Sequence, residues 1–266
     1  METKQQFQRD MIKTYRKSLW SPFIRAIKDY QLINDGDRVA VAISGGKDSL
    51  LLAKMLQELT KHPIADFEIR FIAMDPGYKS WNRARLKENA EKLGIDLTIV
   101  DKAVFEVVGN KAPEYPCFLC AKMRRGILYD IAEKEGCNKL ALGHHFDDAI
   151  ETTLLNMFYA GTFKTMLPKI KSDNYEGMEL IRPLYYIKED AIRKIMDKNG
   201  IHPLDCACSV AAGHTASKRN EIKALIKHLK QTNKDIDKTI FNSARNVNLD
   251  HVIAWEKDGV KHRFDE

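Results

Sequence analysis

Val39-Ala40-Val41-Ala42-Ile43-Ser44-Gly45-Gly46-Lys47-Asp48-Ser49 decides how this chain folds. An apolar run rich in β-branched residues leads into Ser-Gly-Gly-Lys-Asp-Ser, and the amphipathic Leu50-Leu51-Leu52-Ala53-Lys54-Met55-Leu56 follows at once. That order predicts a strand, a tight glycine turn and a helix start. Glycines in such a turn let backbone N–H groups converge on an anion, and the helix N-terminus adds its dipole. The turn reads as a phosphate cradle.

Gly45 and Gly46 are adjacent and an acid follows Lys47. Neither the P-loop G-x-x-x-x-G-K-[ST] nor the dinucleotide loop G-x-G-x-x-G has that pattern. Ser44–Ser49 instead resembles the PP-loop of the ATP pyrophosphatase superfamily, whose members cleave ATP between its α- and β-phosphates. An ordinary glycine turn is the bland alternative. Six matching positions in a strand–turn–helix context argue against it.

The strand–helix rhythm continues on both sides. Strands are expected at 38–43, 68–74, 96–100 and 139–142, with helices at 50–61, 80–93 and 121–135 between them. Gly94 and Gly136 sit where helix C-caps belong. Alternation of this kind predicts an α/β fold, a parallel sheet with helices on both faces. Ligands then bind beyond the carboxyl ends of the strands, where Ser44, the Met74-Asp75-Pro76-Gly77 turn and Gly143-His144-His145 all fall. Residues 4–30 read as an amphipathic helix packed on the core, preferred over an RNA-binding arm, and Pro22 interrupts it or starts a second helix. A short strand is expected at 180–184, then helices at 188–199 and 216–231, the latter strongly basic. The expected organisation is an N-terminal helical segment, 1–37, a nucleotide-binding domain, 38–180, and a small C-terminal helical region, 181–266.

The chain has 266 residues, 44% of them hydrophobic, and a net charge of +6. It is long enough for a sizeable core. It has no run of the roughly 20 apolar residues that a membrane helix needs. The first residues carry no apolar signal segment, so a cytoplasmic protein is expected. The basic balance permits an RNA partner without demanding one.

Five cysteines in a reducing compartment point to thiols, metal ligands or redox centres rather than disulfides. Cys117-Phe118-Leu119-Cys120 suits a redox pair, half a zinc site or part of an iron–sulfur site. Asp205-Cys206-Ala207-Cys208 adds two thiols at a spacing unusual for structural zinc, and Cys137, in a helix-to-strand turn, reads as structural. In Gly143-His144-His145-Phe146-Asp147-Asp148 the acids open a helix. One suits a cap and the other Mg²⁺ beside a triphosphate. Arg182, before Pro183, reads either as a phosphate ligand or as a surface ion pair.

Taken together, Ser44–Ser49, Cys117–Cys120, Met123-Arg124-Arg125-Gly126-Ile127-Leu128-Tyr129, Leu142–Asp148, Leu155-Asn156-Met157-Phe158-Tyr159 and Ile181-Arg182-Pro183-Leu184 strongly resemble the TtcA family of tRNA 2-thiocytidine synthetases. The resemblance covers roughly residues 20–230. It lacks the extra paired-cysteine zinc fingers of the related TtuA branch. It implies a Rossmann-like PP-loop fold, ATP and Mg²⁺, and a 4Fe-4S cluster on Cys117, Cys120 and a distal cysteine. Cys208, eleven residues ahead of Arg219, is the better match to that cysteine, with Cys206 an extra thiol. By the same resemblance Ser44, Gly45, Gly46, Lys47, Ser49, Gly143, His144 and Arg182 serve the phosphates. Asp48 and Asp148 work with Mg²⁺, and Ala42 and Met74 lie at the adenine pocket. The partners implied are tRNA, a sulfur donor (sulfide or a desulfurase-derived persulfide) and a second copy in a homodimer.

The implied reaction is ATP-dependent. The C2 oxygen of a tRNA pyrimidine, cytidine 32, is adenylated with loss of pyrophosphate, and sulfur replaces it. A 2-thiouridine synthetase or a lysidine-synthetase-like enzyme would share the adenylation, and the latter needs no cysteine triad. A persulfide pair without iron, or an ATP- and cluster-binding RNA sensor without chemistry, would keep the motifs but not the reaction.

Overall fold

The computed structural model describes residues 3–102, 116–204 and 215–265. The chain opens with helix α1 (Thr3–Arg9), a π-helical turn (Asp10–Thr14) and α2 (Trp20–Asp29). Phe7, Met11, Leu19 and Phe23 are fully buried in the cluster that also holds Val41, Leu50 and Ile195. The N-terminal segment is therefore core, as its periodicity predicted. The segment turns at residues 15–19, and Pro22 belongs to the start of a second helix, one of its two expected outcomes. Pro22 sits in the first turn of α2, where a missing N–H leaves nothing unsatisfied.

Then come β1 (Asp37–Ala42), α3 (Lys47–Leu59), β2 (Phe67–Asp75), α4 (Ser80–Leu93) and β3 (Leu97–Asp101). After them lie α5 (Pro116–Lys134), β4 (Lys139–Ala141), α6 (Phe146–Tyr159), β5 (Lys169–Lys171), β6 (Glu179–Ile181), α7 (Glu189–Lys198), α8 (Thr215–Leu229) and α9 (Ile236–Ser243). A separate antiparallel hairpin, β7 (Ala254–Lys257) and β8 (Val260–Arg263), ends the chain. Leu50, Leu51 and Leu52 of α3 are all wholly buried, because the helix is covered on every side. Each such leucine stabilises the fold by about 1.5–3 kcal/mol relative to exposure.

The central sheet runs β3-β2-β1-β4-β6-β5. Every pairing is parallel except β5 with β6. The expected parallel sheet is present, and its edge strand β5 alone runs antiparallel. Only residues 172–178 join β5 to β6, which suffices for a hairpin but not for a crossover. The chain builds outward from β1 through β2 to β3, then returns beside β1 with β4. That reversal between β1 and β4 is a topological switch point, and the crevice above it belongs to the loops that follow these two strands. β6 lies across residue 180, where a domain boundary was expected, and is hydrogen-bonded to β4.

Candidate active site

Ser44-Gly45-Gly46 leaves β1 and enters α3 at that switch point. Gly45 has φ +83, a conformation that side chains rarely adopt. Its carbonyl accepts the Leu204 N–H at 2.9 Å, and a Cβ there would stand 2.6 Å from Leu204 Cδ1. Ser49 is buried. Its Oγ donates to the Gly46 carbonyl at 2.9 Å and accepts the Ser44 N–H at 3.2 Å. It braces the turn from inside and so leaves the N–H groups of α3's first turn to face the crevice.

The second loop locks onto the first. A Cβ on Gly143 would stand 2.9 Å from the Asp48 carbonyl carbon and 3.0 Å from Ser49 N. Gly143 is thus the point where the loop after β4 touches the backbone of α3. His145 N-caps α6, and its N–H donates to Asp148 Oδ2 at 3.0 Å. Its ring lies among three carboxylates, 3.6 Å from Asp48, 3.7 Å from Asp147 and 3.5 Å from Asp148. Asp147 accepts the Glu189 N–H at 2.7 Å and ties α6 to α7. Asp148 does the same within α6 and also holds Arg219 at 3.1 Å.

The buried Asp48 Oδ1 has no hydrogen-bond partner among the described residues. Burial pushes the Asp48 carboxyl above its usual range, against the pull of His145 and Lys47. An orphaned acceptor beside a phosphate cradle fits a hard divalent cation. Burial also pushes on Asp148, but His145, His144 and Arg219 together hold that carboxyl below its usual range. Burial and the adjoining Arg182 guanidinium drive His144 down to about 4, so its ring is neutral and accepts from Arg182 Nε at 3.3 Å. Arg182 is itself buried and also donates to the Leu167 carbonyl. Burial lowers it to about 10, so it stays cationic.

A ring of charge closes around this crevice. Lys47 bonds Asp48 at 3.1 Å and Glu189 at 3.0 Å. Glu189 faces Lys223 at 3.4 Å, Lys223 faces Glu151 at 3.7 Å, and Glu151 faces Arg219 at 3.7 Å. Arg219 returns to Asp148. Sequence alone assigns no role to Glu189, Glu151 or Lys223, and Arg219 serves there only as a spacing mark. The one signal for them is acids and bases at helical spacing on α6, α7 and α8.

Ala42 ends β1 in a cluster with Ile72 and Leu140. Met74 is buried and packs against Met123, Ile127 and Leu128 of α5. This contact fixes α5 at the carboxyl end of β2. Cys117 and Cys120 fall in the opening residues of α5, three positions apart in sequence. Thiols so spaced suit iron–sulfur ligation. Cys206 and Cys208 lie outside the described residues. Cys137 is buried in the core, and burial pushes its thiol up, which agrees with a structural role.

Residues 19–207 match the family of PP-loop domains. The tRNA-cytidine(32) 2-sulfurtransferase of Geobacter metallireducens is 34% identical over 251 residues, covering 93% of this chain and 96% of that protein. The protein of the same name from Geotalea uraniireducens is 38% identical over 232 residues, 86% of this chain and 91% of that one. Among solved structures, the U34-tRNA thiolase NcsA from Methanococcus maripaludis with its 4Fe-4S cluster superposes with a TM-score of 0.68. It is 23% identical and the match covers 88% of this chain and 79% of that one, which supports the fold.

Proposed function

Because this chain belongs to the PP-loop family of tRNA-cytidine(32) 2-sulfurtransferases, we propose that it replaces the C2 oxygen of cytidine 32 in tRNA with sulfur, at the expense of ATP. One observation carries the reading. The phosphate cradle and the Asp48–His145–Asp148 cluster stand at the carboxyl edge of one sheet, and α5, the helix that carries Cys117 and Cys120 in its sequence, packs through Met123, Ile127 and Leu128 on Met74 at the same edge.

A carbonyl oxygen is a poor leaving group. It attacks the α-phosphorus of ATP, pyrophosphate departs, and the base carries AMP on its former oxygen. Sulfide, as HS⁻, then bonds C2, the C2–O bond breaks, AMP leaves with that oxygen and the sulfur's proton passes to solvent. The α3 N-terminus and Lys47 hold the phosphates. Asp48 and Asp148 are the residues that would hold Mg²⁺, and the ion would supply positive charge to the phosphates. Gly143 sets the distance between the two loops. His144, neutral and held by Arg182, keeps the far wall polar without adding a second cation there. Cys117, Cys120 and Cys208 are assigned as the residues that would hold a 4Fe-4S cluster, which would supply the sulfur-transfer chemistry. Residues 38–180 hold the nucleotide, and 181–266 complete the cluster site and the RNA surface. No helix among the described residues is long and apolar enough to cross a membrane. We place the protein in the cytoplasm with its tRNA.

Mass spectrometry of tRNA nucleosides from a deletion strain tests the proposal. Loss of 2-thiocytidine, restored by the wild-type gene, is expected. An unchanged nucleoside profile refutes it.

A further inference from the structure

Two cavities meet along the outer face of α2, and no residue of the phosphate cradle lines either. The first, ≈ 450 Å³, is bordered by Arg16, Trp20, Lys28 and Ile64. The second, ≈ 390 Å³, is bordered by Phe146, Tyr186, Lys188 and Arg245. Arg25 and Asp29 border both, so the two form one groove. Its length is at least that of α2, about 15 Å at ~1.5 Å per residue.

The groove's cations are held in an unusual way. The Arg25 guanidinium lies 4.5 Å from the centroid of the Tyr186 ring, and that of Arg245 lies 6.0 Å from the same ring. Among the described residues Arg16, Arg25, Lys28 and Arg245 have no carboxylate partner. The groove's own acid, Asp29, is occupied by the Tyr186 hydroxyl, which donates to it at 2.9 Å. Lys188 is already paired with Asp237. Arg16, Arg25, Lys28 and Arg245, all exposed, therefore share a trough with aromatic walls and the single acid Asp29, which pairs with none of them. Four cations against one acid leave a surplus of positive charge that a polyanion would relieve. A polyanion that also carries flat apolar groups matches both the charge and the walls, and nucleic acid is such a polymer.

We propose that this groove seats the phosphodiester backbone of the tRNA, an inference that rests on the reading of tRNA as substrate. The trough leads to the chemistry. Phe146 directly follows His145, and Lys188 directly precedes Glu189, the partner of Lys47. RNA lying along α2 thus reaches the mouth of the crevice.

The test measures tRNA affinity of the full chain against salt, with unmodified transcript. Arg25→Gln with Arg245→Gln should flatten the slope of log K against log salt by about 0.7–0.9 for each phosphate left without its cation. Affinity should fall roughly five-fold per phosphate near ~0.15 M salt. Arg16→Gln with Lys28→Gln, at the other cavity, should do the same. Lysine at positions 25 and 245 should keep the slope. Melting temperatures confirm that each variant is folded. Wild-type affinity and slope in both glutamine pairs overturn the groove while leaving tRNA as substrate. Weaker binding with an unchanged slope also overturns it, because phosphates are then not the ligand. Absence of tRNA binding by the wild type overturns the substrate reading as well.

Discussion

Gly143→Ala puts the site's construction to a quantitative trial. Gly143 does not have a positive φ, so alanine strains no backbone dihedral and the effect is purely steric. The added methyl would stand 2.9 Å from the Asp48 carbonyl carbon, 3.0 Å from Ser49 N and 3.1 Å from the Asp48 carbonyl oxygen. Carbon atoms prefer roughly 3.5–4.0 Å, so the two loops must separate by about half an ångström or more. Those atoms are helix backbone and cannot rotate aside. Overpacking of this kind costs about 1–3 kcal/mol. In a chain of this size each kcal/mol lowers the melting temperature by about 2–4 °C, hence roughly 2–12 °C in all. The same shift moves the phosphate cradle away from His145 and Asp148, and misplacement on the ångström scale costs up to about 10²-fold in rate. Differential scanning fluorimetry and single-turnover AMP release with tRNA read both effects. Gly126→Ala is the control, because it lies inside α5 with no atom within 4 Å of its added Cβ. It should gain about 0.5–1 kcal/mol. Wild-type melting and wild-type AMP release in Gly143→Ala would refute the reasoning.

Three further outcomes are expected. Asp48→Ala should retain the iron–sulfur chromophore and lose tRNA-dependent AMP formation by at least about 10²-fold; normal turnover would remove Asp48 from the site. Cys117→Ala, Cys120→Ala and Cys208→Ala should each lose bound iron and visible absorbance after anaerobic purification, and Cys206→Ala should keep them. An intact cluster in Cys208→Ala would hand the third position to Cys206. Burial raises the Glu151 carboxyl from 4.5 to about 7, opposed by Lys223 and Arg219. The folded state therefore binds more protons than the unfolded state between those values, and wild-type stability falls as pH rises through them. Glu151→Gln lacks that loss. Its advantage should grow between about pH 4.5 and 7 by up to ~3 kcal/mol, then level off. Parallel melting curves across that range would contradict the raised carboxyl.

The alternating core was legible in the sequence because its signals are local. The run 39–43, the glycine pair and the leucines of α3 each state their own conformation. β5 was not legible. Lys169-Ile170-Lys171 carries one apolar residue and becomes a strand only because β6 offers it an open edge. The α9 helix and the β7–β8 hairpin lie in a polar tail whose few apolar residues gave no period. At the site, the residue types were visible and their division of labour was not. His144 and His145 are neighbours in sequence, yet His144 turns to Arg182 and His145 to three carboxylates. Gly143 read as a phosphate glycine, but its need is set by Asp48 and Ser49, far away in sequence. Glu151, Glu189 and Lys223 meet only when α6, α7 and α8 converge, and no single stretch of chain records that meeting.

Lys47 is never idle. Before any nucleotide arrives, Asp48 and Glu189 already hold its ammonium, and Lys47 in turn draws Glu189 down to about 2, against the opposing effect of burial. Glu189 thus stays a standing rival at every physiological pH. A triphosphate outbids it by sheer density of charge, whereas a monophosphate brings far less to the contest. On the reading proposed above, the departure of pyrophosphate frees Lys47 to return to this carboxylate, while AMP stays on the base for sulfur to displace. So read, Lys47 and Glu189 would form a latch that discriminates on the way in and resets on the way out, with no moving part larger than a side chain.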